Sequence, residues 1–479
     1  MAYRLEKDLI GTMKIPEDSY LGIQSLRGIE NFPITGTPIS HFPEMVNALA
    51  FTKKAAALAN KELGELKVEI ADAISTACDE ITNGMLHEFF SSDVLQGGGG
   101  TTANMNANEI IANRALELLG HKKGEYQYLH PNIHVNKGQS TNDVYPTAIN
   151  LALHMKLGVL YNQMESLKEA LAEKGEEFSD VIKLGRTELQ DAVPMTLGQE
   201  FTAYALLVEE DVRQIRNSQD LIREINLGAT AIGTGINCHP DYPPLVTQRL
   251  QEISGIKVYT APNLIEATQD CGAFVQMSGV LKRFAVKLSK ICNDLRLLSS
   301  GPRAGFNEIN LPRVQPGSSI MPGKVNPVIL DMVNQVCYQV IGADVTITMA
   351  SEAGQLELNA LEPVISFNLF QSISMLSTAC KILKKKCITG ITANRDVCLD
   401  MVHKSLGLAT ALNPLLGYTK ASDIAKKAFE TGKSIKDVVL EEKLIEPNEL
   451  DEILMPEKML HLERFRKGAL TTEYFWRVK

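Results

Sequence analysis

Gly317-Ser318-Ser319-Ile320-Met321-Pro322-Gly323-Lys324-Val325-Asn326-Pro327 concentrates hydroxyls, a cation and an amide among residues that bend the backbone. Gly317 and Gly323 allow left-handed φ and close backbone approach, while Pro322 and Pro327 restrict the chain, so side chains and N–H groups can converge on a small ligand. Lys324 brings a point charge, and Ser318, Ser319 and Asn326 bring hydrogen bonds. The stretch is not a nucleotide phosphate loop of the form G-x-x-x-x-G-K-[ST]. Five residues separate its glycines instead of four, and Val325 stands where Ser or Thr would hold Mg²⁺.

Two further polar clusters precede it. In Gln96-Gly97-Gly98-Gly99-Gly100-Thr101-Thr102-Ala103-Asn104-Met105-Asn106-Ala107-Asn108-Glu109, consecutive glycines make a flexible, close-approach backbone, and the Thr and Asn run reads as too polar for a core face. In the stretch from His130 to Asp143, Ser140-Thr141-Asn142 offers adjacent hydrogen-bonding side chains that suit a helix N-cap or a carboxylate clamp. His130 and His134 have the spacing of a metal pair. Pro131 lies between them, however, and the interval holds no carboxylate, so no metal site is expected.

The chain that must position these clusters has 479 residues, more than one hydrophobic core usually covers. With 44% hydrophobic and 22% charged residues it is globular and soluble in composition, and a net charge of −9 argues against a nucleic-acid partner. An anionic ligand would have to be attracted locally, by Lys324 and backbone amides. The eight cysteines lack any C-x-x-C pair and predict reduced, buried thiols rather than disulfides or zinc. Met1 to Asp8 has no apolar signal core, which predicts a cytoplasmic protein. The uncharged run from Pro363 to Cys380 is punctuated by Ser366, Asn368, Gln371, Ser372, Ser374 and Ser377, so a helix buried in a bundle is expected there, not a membrane span.

Between the clusters, apolar residues recur at helical spacing. One seam runs through Leu153, Leu157, Leu160, Met164, Leu167 and Leu171, and a second through Leu197, Phe201, Tyr204, Val208, Val212 and Ile215. A third, expected to be the longest, runs from Phe274 through Met277, Leu281, Phe284, Leu288, Ile291 and Leu295 to Leu298 and stops at Gly301-Pro302. Val333, Val336, Val340, Ala343 and Ile347 form a fourth, and Ile365, Leu369, Ile373, Leu376 and Leu383 a fifth. The pattern predicts an all-α protein: a mostly helical N-terminal domain over 1–140, a central five-helix bundle over 141–393 and a small helical domain over 394–479. Additional apolar faces on the fifth helix, at Phe367, Phe370 and Met375, predict an oligomer.

The stretch from Gly317 to Pro327 resembles, almost letter for letter, the signature G-S-S-x-M-P-x-K-x-N-P of the fumarase/aspartase superfamily. The resemblance extends from Tyr3 to about Leu450. Gly301 to Pro312, Gln190-Asp191-Ala192-Val193-Pro194 and Val325-Asn326-Pro327-Val328 are similar to aspartases more than to fumarases. The resemblance implies a homotetramer with a twenty-helix core and active sites built from loops of three subunits. The implied reaction is reversible elimination of ammonia from L-aspartate to give fumarate, with no cofactor and no metal.

It further implies that Ser318 is the general base. Thr101, Ser140, Thr141 and Ser319 would hold the β-carboxylate as it becomes an enediolate, Lys324, Asn326 and Thr187 the α-carboxylate, and Asn142 the amino group. Three positions depart from the family pattern. Ile133 replaces the Asp of a His-Pro-Asn-Asp run that forms a second carboxylate site in fumarases, Asp331 replaces Glu, and Glu188 replaces the His or Gln expected to face the leaving group. The alternatives are a fumarate hydratase, a lyase for another amine, and an inactive structural protein with the same fold.

Overall fold

The computed structural model describes residues 2–460. Two strands open the chain, β1 (Tyr3–Lys7) and β2 (Thr12–Pro16), paired antiparallel with Tyr3 opposite Pro16. Four helices follow: α1 (Ile23–Asn31), α2 (Pro43–Glu62), α3 (Val68–Thr82) and α4 (Thr101–Leu118). The chain then forms α5 (Thr141–Glu177), the hairpin β3 (Ile182–Thr187) and β4 (Gln190–Thr196), and α6 (Leu197–Gln219). Two shorter helices, α7 (Tyr242–Ser254) and α8 (Leu264–Gln269), lead to α9 (Gly272–Leu298), α10 (Val328–Glu352) and α11 (Glu362–Lys386). Short helices from Arg395 onward complete the described chain. The protein is all-α, as its periodicity predicts, and no described helix is long and apolar enough to cross a membrane.

The five seams account for the long helices α5, α6, α9, α10 and α11, each buried along the expected stripe. Leu153, Leu157, Leu160, Met164 and Leu167 have no exposed surface, nor do Met277, Phe284, Leu288, Ile291 and Leu295. On α10 one position of the seam differs: Cys337 is buried and Val336 only partly so.

Two expectations change. The longest helix is α5, with 37 residues against 27 in α9. Its first turns, where Pro146 and polar residues interrupt the hydrophobic pattern, are helical all the same. Proline has no N–H to offer the carbonyl four residues back, and here the Asn226 amide donates to that carbonyl, Asn142 O, at 3.0 Å. The second change concerns α11. Its extra apolar face is largely covered within the chain, because Phe370 is buried with its ring 5.3 Å from that of Phe42, and Phe367 packs at 6.3 Å from the same ring. An exposed apolar stripe lies instead on α10, where Tyr338, Val345 and Met349 follow one helical face at 58, 58 and 67% exposure.

The chain forms two compact units. One comprises residues up to Met164, Glu210–Val286 and Gln335–Ala379, and the other Glu165–Glu209, Lys287–Asn334 and the residues from Cys380. A separate hydrophobic cluster in the second unit joins Leu184 to Val402, Leu412, Ile424, Val438 and Leu450. All eight cysteines are free thiols, and every one except the half-buried Cys238 is buried.

Candidate active site

Thr101 is the first residue of α4, delivered by Gly98, Gly99 and Gly100 at φ values of 75°, 62° and 93°. Gly100 has a second reason to lack a side chain: a Cβ there would lie 2.4 Å from the Tyr145 ring. Thr101 is exposed, and its hydroxyl donates to Gly98 O at 2.7 Å.

The run behind it overturns the reading of Thr and Asn as too polar for a core face. Asn104, Asn106, Asn108, Glu109 and Asn113 are all at most 2% exposed. The helix buries them because specific partners meet them. Glu109 accepts the N–H groups of Gly22, Gln24 and Ser25, each at 2.9 Å, and so caps α1, which has no side-chain cap of its own. Burial raises the Glu109 carboxyl to about 7 despite these donors.

Ser140, Thr141 and Asn142 begin α5. Asp143 holds this turn: its carboxylate accepts N–H from Ser140 at 3.0 Å, Gly228 at 3.1 Å and Thr230 at 2.9 Å. Burial raises the pKa of Asp143 and lowers that of the fully buried Lys53, and the opposite charges of the two partly offset this. Asn104 donates to the Thr141 hydroxyl at 2.9 Å, and Asn142 donates to Ala231 O at 2.7 Å. Thr101 and Ser140–Asn142 are thus anchored in one unit. The His130 and His134 rings are engaged by backbone N–H groups, His134 Nδ1 by His130 at 2.7 Å and His130 Nδ1 by Asn132 at 3.0 Å. No cluster of three or more metal-ligating side chains occurs among the described residues.

The remaining candidates belong to the other unit. Thr187 and Glu188 are exposed at the tip of the β3–β4 hairpin, whose turn residues Glu188 and Leu189 both have positive φ, 53° and 62°. That is the type I′ geometry that suits the twist of paired strands, although Asn-Gly would adopt it more readily. Below the tip, Arg186 pairs with the fully buried Glu308 at 2.6 Å and stacks on Phe306, while Lys183 bridges Glu308 at 3.2 Å and Glu200 at 2.6 Å. Asp331 pairs with Arg296 at 3.2 Å.

The loop from Gly317 to Pro327 is closed by its own backbone. Gly317 N–H donates to Lys324 O at 2.7 Å, and Asn326 Nδ2 donates to Gly317 O at 2.7 Å. A Cβ on Gly317 would lie 2.5 Å from Asn326 N, so this closure requires glycine. Inside the turn, Ser318 Oγ accepts N–H from Ile320 at 3.2 Å and Met321 at 2.8 Å. Ser319 and Lys324 are exposed, and Ile320 is 83% exposed. Gly323 to Pro327 line a cavity of about 820 Å³ with Arg296, Arg313, Asn293, Asn307 and Asn310, a cationic and amide-rich wall suited to carboxylates. Ser318, Ser319, Thr187 and Glu188 do not line this cavity.

Residues 11–342 match the Lyase family, and residues 408–461 the fumarase C C-terminus family. An aspartate ammonia-lyase of Helicobacter pylori (strain J99 / ATCC 700824) is 55% identical over 464 residues, covering 97% of this chain and 99% of that protein. The chain belongs to the fumarase/aspartase superfamily of lyases. Among other superfamily members, the aspartate ammonia-lyase of Escherichia coli (strain K12) is 54% identical over 459 residues, with 96% of both chains covered. A fumarate lyase:delta crystallin from Brucella melitensis, bound to cobalt in its crystal structure, has a TM-score of 0.93 at 52% identity, covering 96% of this chain and 99% of that one. The class II fumarase of Schistosoma mansoni has the same TM-score at 35% identity, covering 96% and 100%.

Sequence reasoning missed the residues beneath the superfamily motifs: Lys53, Asn104, Asn136 and Asp143 under Ser140–Asn142, and Arg186 with Glu308 under Thr187. Asn104, Asn136, Asp143 and Glu308 lay inside stretches already singled out. Lys53 carried no signal, since Lys54 beside it pairs at the surface with Asp79.

Proposed function

We propose that this lyase eliminates ammonia from L-aspartate to give fumarate, reversibly. Identity of 54–57% to aspartate ammonia-lyases over nearly the whole chain, against 35% to a fumarase, favours this over hydration of fumarate. The observation that carries the chemistry is the pair of amide N–H groups on Ser318 Oγ. A serine hydroxyl is an ineffective base until its alkoxide is stabilised, and two backbone donors in a loop that also carries Lys324 supply that stabilisation.

In this reading Ser318 removes the proton from the carbon beside the β-carboxylate. The C–H electron pair passes into an enediolate held by Thr101, Ser140, Thr141 and Ser319. It then forms the C=C bond as the C–N bond breaks, and ammonia departs with the electrons of that bond. Lys324, Asn326 and Thr187 hold the α-carboxylate, and Asn142 and Glu188 face the amino group. An ionised Glu188 favours an ammonium over the neutral hydroxyl of malate.

The working enzyme is a cytoplasmic homotetramer, each active site being shared by three subunits. The exposed α10 stripe of Tyr338, Val345 and Met349 supports an apolar subunit interface. Functionally, residues 141–393 form the bundle that carries the chemistry, flanked by 1–140 and 394–479. The deciding assay is ultraviolet absorbance of fumarate formed from L-aspartate, with L-malate in parallel. Fumarate from aspartate alone is expected; fumarate from malate alone would reassign the enzyme as a hydratase.

A further inference from the structure

Lys53, on α2, has no exposed surface, and its two hydrogen bonds go to amide oxygens, Asn136 Oδ1 at 2.9 Å and Gln139 Oε1 at 3.0 Å. Burying an ammonium is costly, and neutral amide oxygens compensate it less than a carboxylate would. The carboxylate of Asp143 is bonded instead to three backbone N–H groups. What the lysine does provide is direction, because an ammonium donates hydrogen bonds and accepts none.

That direction propagates. Facing Lys53, Asn136 must present its Oδ1. The same oxygen therefore accepts from Asn104 Nδ2 at 3.3 Å and Asn108 Nδ2 at 3.1 Å. Asn104, turned with its NH₂ inward, also donates to Thr141 Oγ1 at 2.9 Å. A hydroxyl that already accepts on that side has its own proton available for another acceptor. The orientation is held against a cost, since Asn104 Oδ1 and Asn108 Oδ1 are buried with no hydrogen-bond partner. Flipping either amide would set its oxygen against the oxygen of Asn136, so the orientation of Asn136 fixes that of both.

We propose that Lys53 is a positioning residue that sets the polarity of the relay Lys53–Asn136–Asn104–Thr141, so that Thr141 presents its hydroxyl proton to the substrate carboxylate on which negative charge accumulates. This rests on the aspartate-lyase reading above. Lys53 does not touch substrate. It acts through Thr141: Asn136 Nδ2 also donates to Gln139 O at 3.1 Å, and without Lys53 that bond is left to oppose a reversal of Asn136 and Asn104 that would turn the Thr141 proton inward toward the relay.

The test is a double-mutant cycle on fumarate formation. Thr141→Val removes the hydroxyl, Lys53→Met removes the donor at near-constant length, and Asn104→Ala cuts the relay midway while leaving Lys53 in place. Each single variant is expected to lower kcat by about 10- to 100-fold, with KM for L-aspartate changed less than about threefold. The combination of Thr141→Val with either of the others is expected to be no slower than Thr141→Val alone, because the hydroxyl through which they act is already gone. A purely structural role would lower the unfolding temperature and the active fraction, and its effect would multiply with that of Thr141→Val. Should Lys53→Met not fold, the Asn104→Ala arm decides by the same criterion. Multiplicative losses in the cycle, or single variants that keep unaltered kcat, overturn the relay while leaving the function in place. Absence of fumarate formation by the unaltered protein overturns both.

Discussion

The candidate residues on α4 and α5 and those on the 317–327 loop and the β3–β4 hairpin are held in different ways. Asn104, Asp143 and Glu109 lock the first group with buried side-chain hydrogen bonds to partners distant in sequence, such as Glu109 to Gly22 and Asp143 to Thr230. The 317–327 loop is held locally: Gly317 bonds Lys324, and Ser318 Oγ bonds the amides two and three residues ahead, while Ile320 and Lys324, like Glu188 at the hairpin tip, face solvent. A buried, cross-linked group is preorganised and intolerant of change. A self-contained exposed loop can move as a body over a substrate without disrupting the core. Substitutions that disturb packing beneath the first group should therefore register in stability, and substitutions within the loop in kinetics.

Five substitutions examine this contrast. The largest effect is expected from Ser318→Ala, which removes the base: kcat for aspartate should fall by about 10²-fold or more with the thermal unfolding temperature unchanged. Unaltered kcat would move the base elsewhere, and a large loss of stability would show that the loop is part of the core after all. Next comes Gly100→Ala, whose Cβ would meet the Tyr145 ring at 2.4 Å in a left-handed backbone. The expected cost is about 3 kcal/mol or more, seen as a clear drop in unfolding temperature. Gly323→Ala is its control, left-handed at φ 79° but with open space around the new methyl, and should cost only about 1 kcal/mol. Equal losses at the two glycines would erase the distinction between the two sides.

Lys324→Ala removes a full charge from the cavity wall. KM for aspartate should rise by roughly ten- to a hundred-fold, with stability intact, as befits a charge-assisted bond of about 1.5 to 3 kcal/mol. Competition by dicarboxylates at varied ionic strength would check it, since an unchanged KM with an unchanged salt dependence removes Lys324 from the site. The smallest effect belongs to Glu188→Gln, because an exposed charge contributes about 1 kcal/mol or less. A two- to fivefold rise in KM for aspartate is expected, with any trace turnover of malate unaffected. Parallel changes for both substrates would show that Glu188 does not distinguish the leaving group.

Much of this protein follows from sequence alone. The five long helices are encoded in repeated apolar spacing, a local property that burial of one stripe enforces wherever the helix lies. The 317–327 loop is likewise legible, because Gly317 and Gly323 are demanded by contacts and torsions within the loop itself. Tertiary structure alone decided which polar groups enter the core. Lys53 and Lys54 are adjacent and chemically identical, yet one reaches Asn136 and Gln139 in the interior and the other Asp79 at the surface. Asn104, Asn106, Asn108 and Glu109 have the composition of a solvated segment and are buried because donors and acceptors from other elements meet them. The start of α5 at Thr141 likewise depended on Asn226 serving the carbonyl that Pro146 leaves free. In each case the deciding partner lies far away in sequence, and the cost of burying a polar group is met only when folding brings that partner within hydrogen-bond distance.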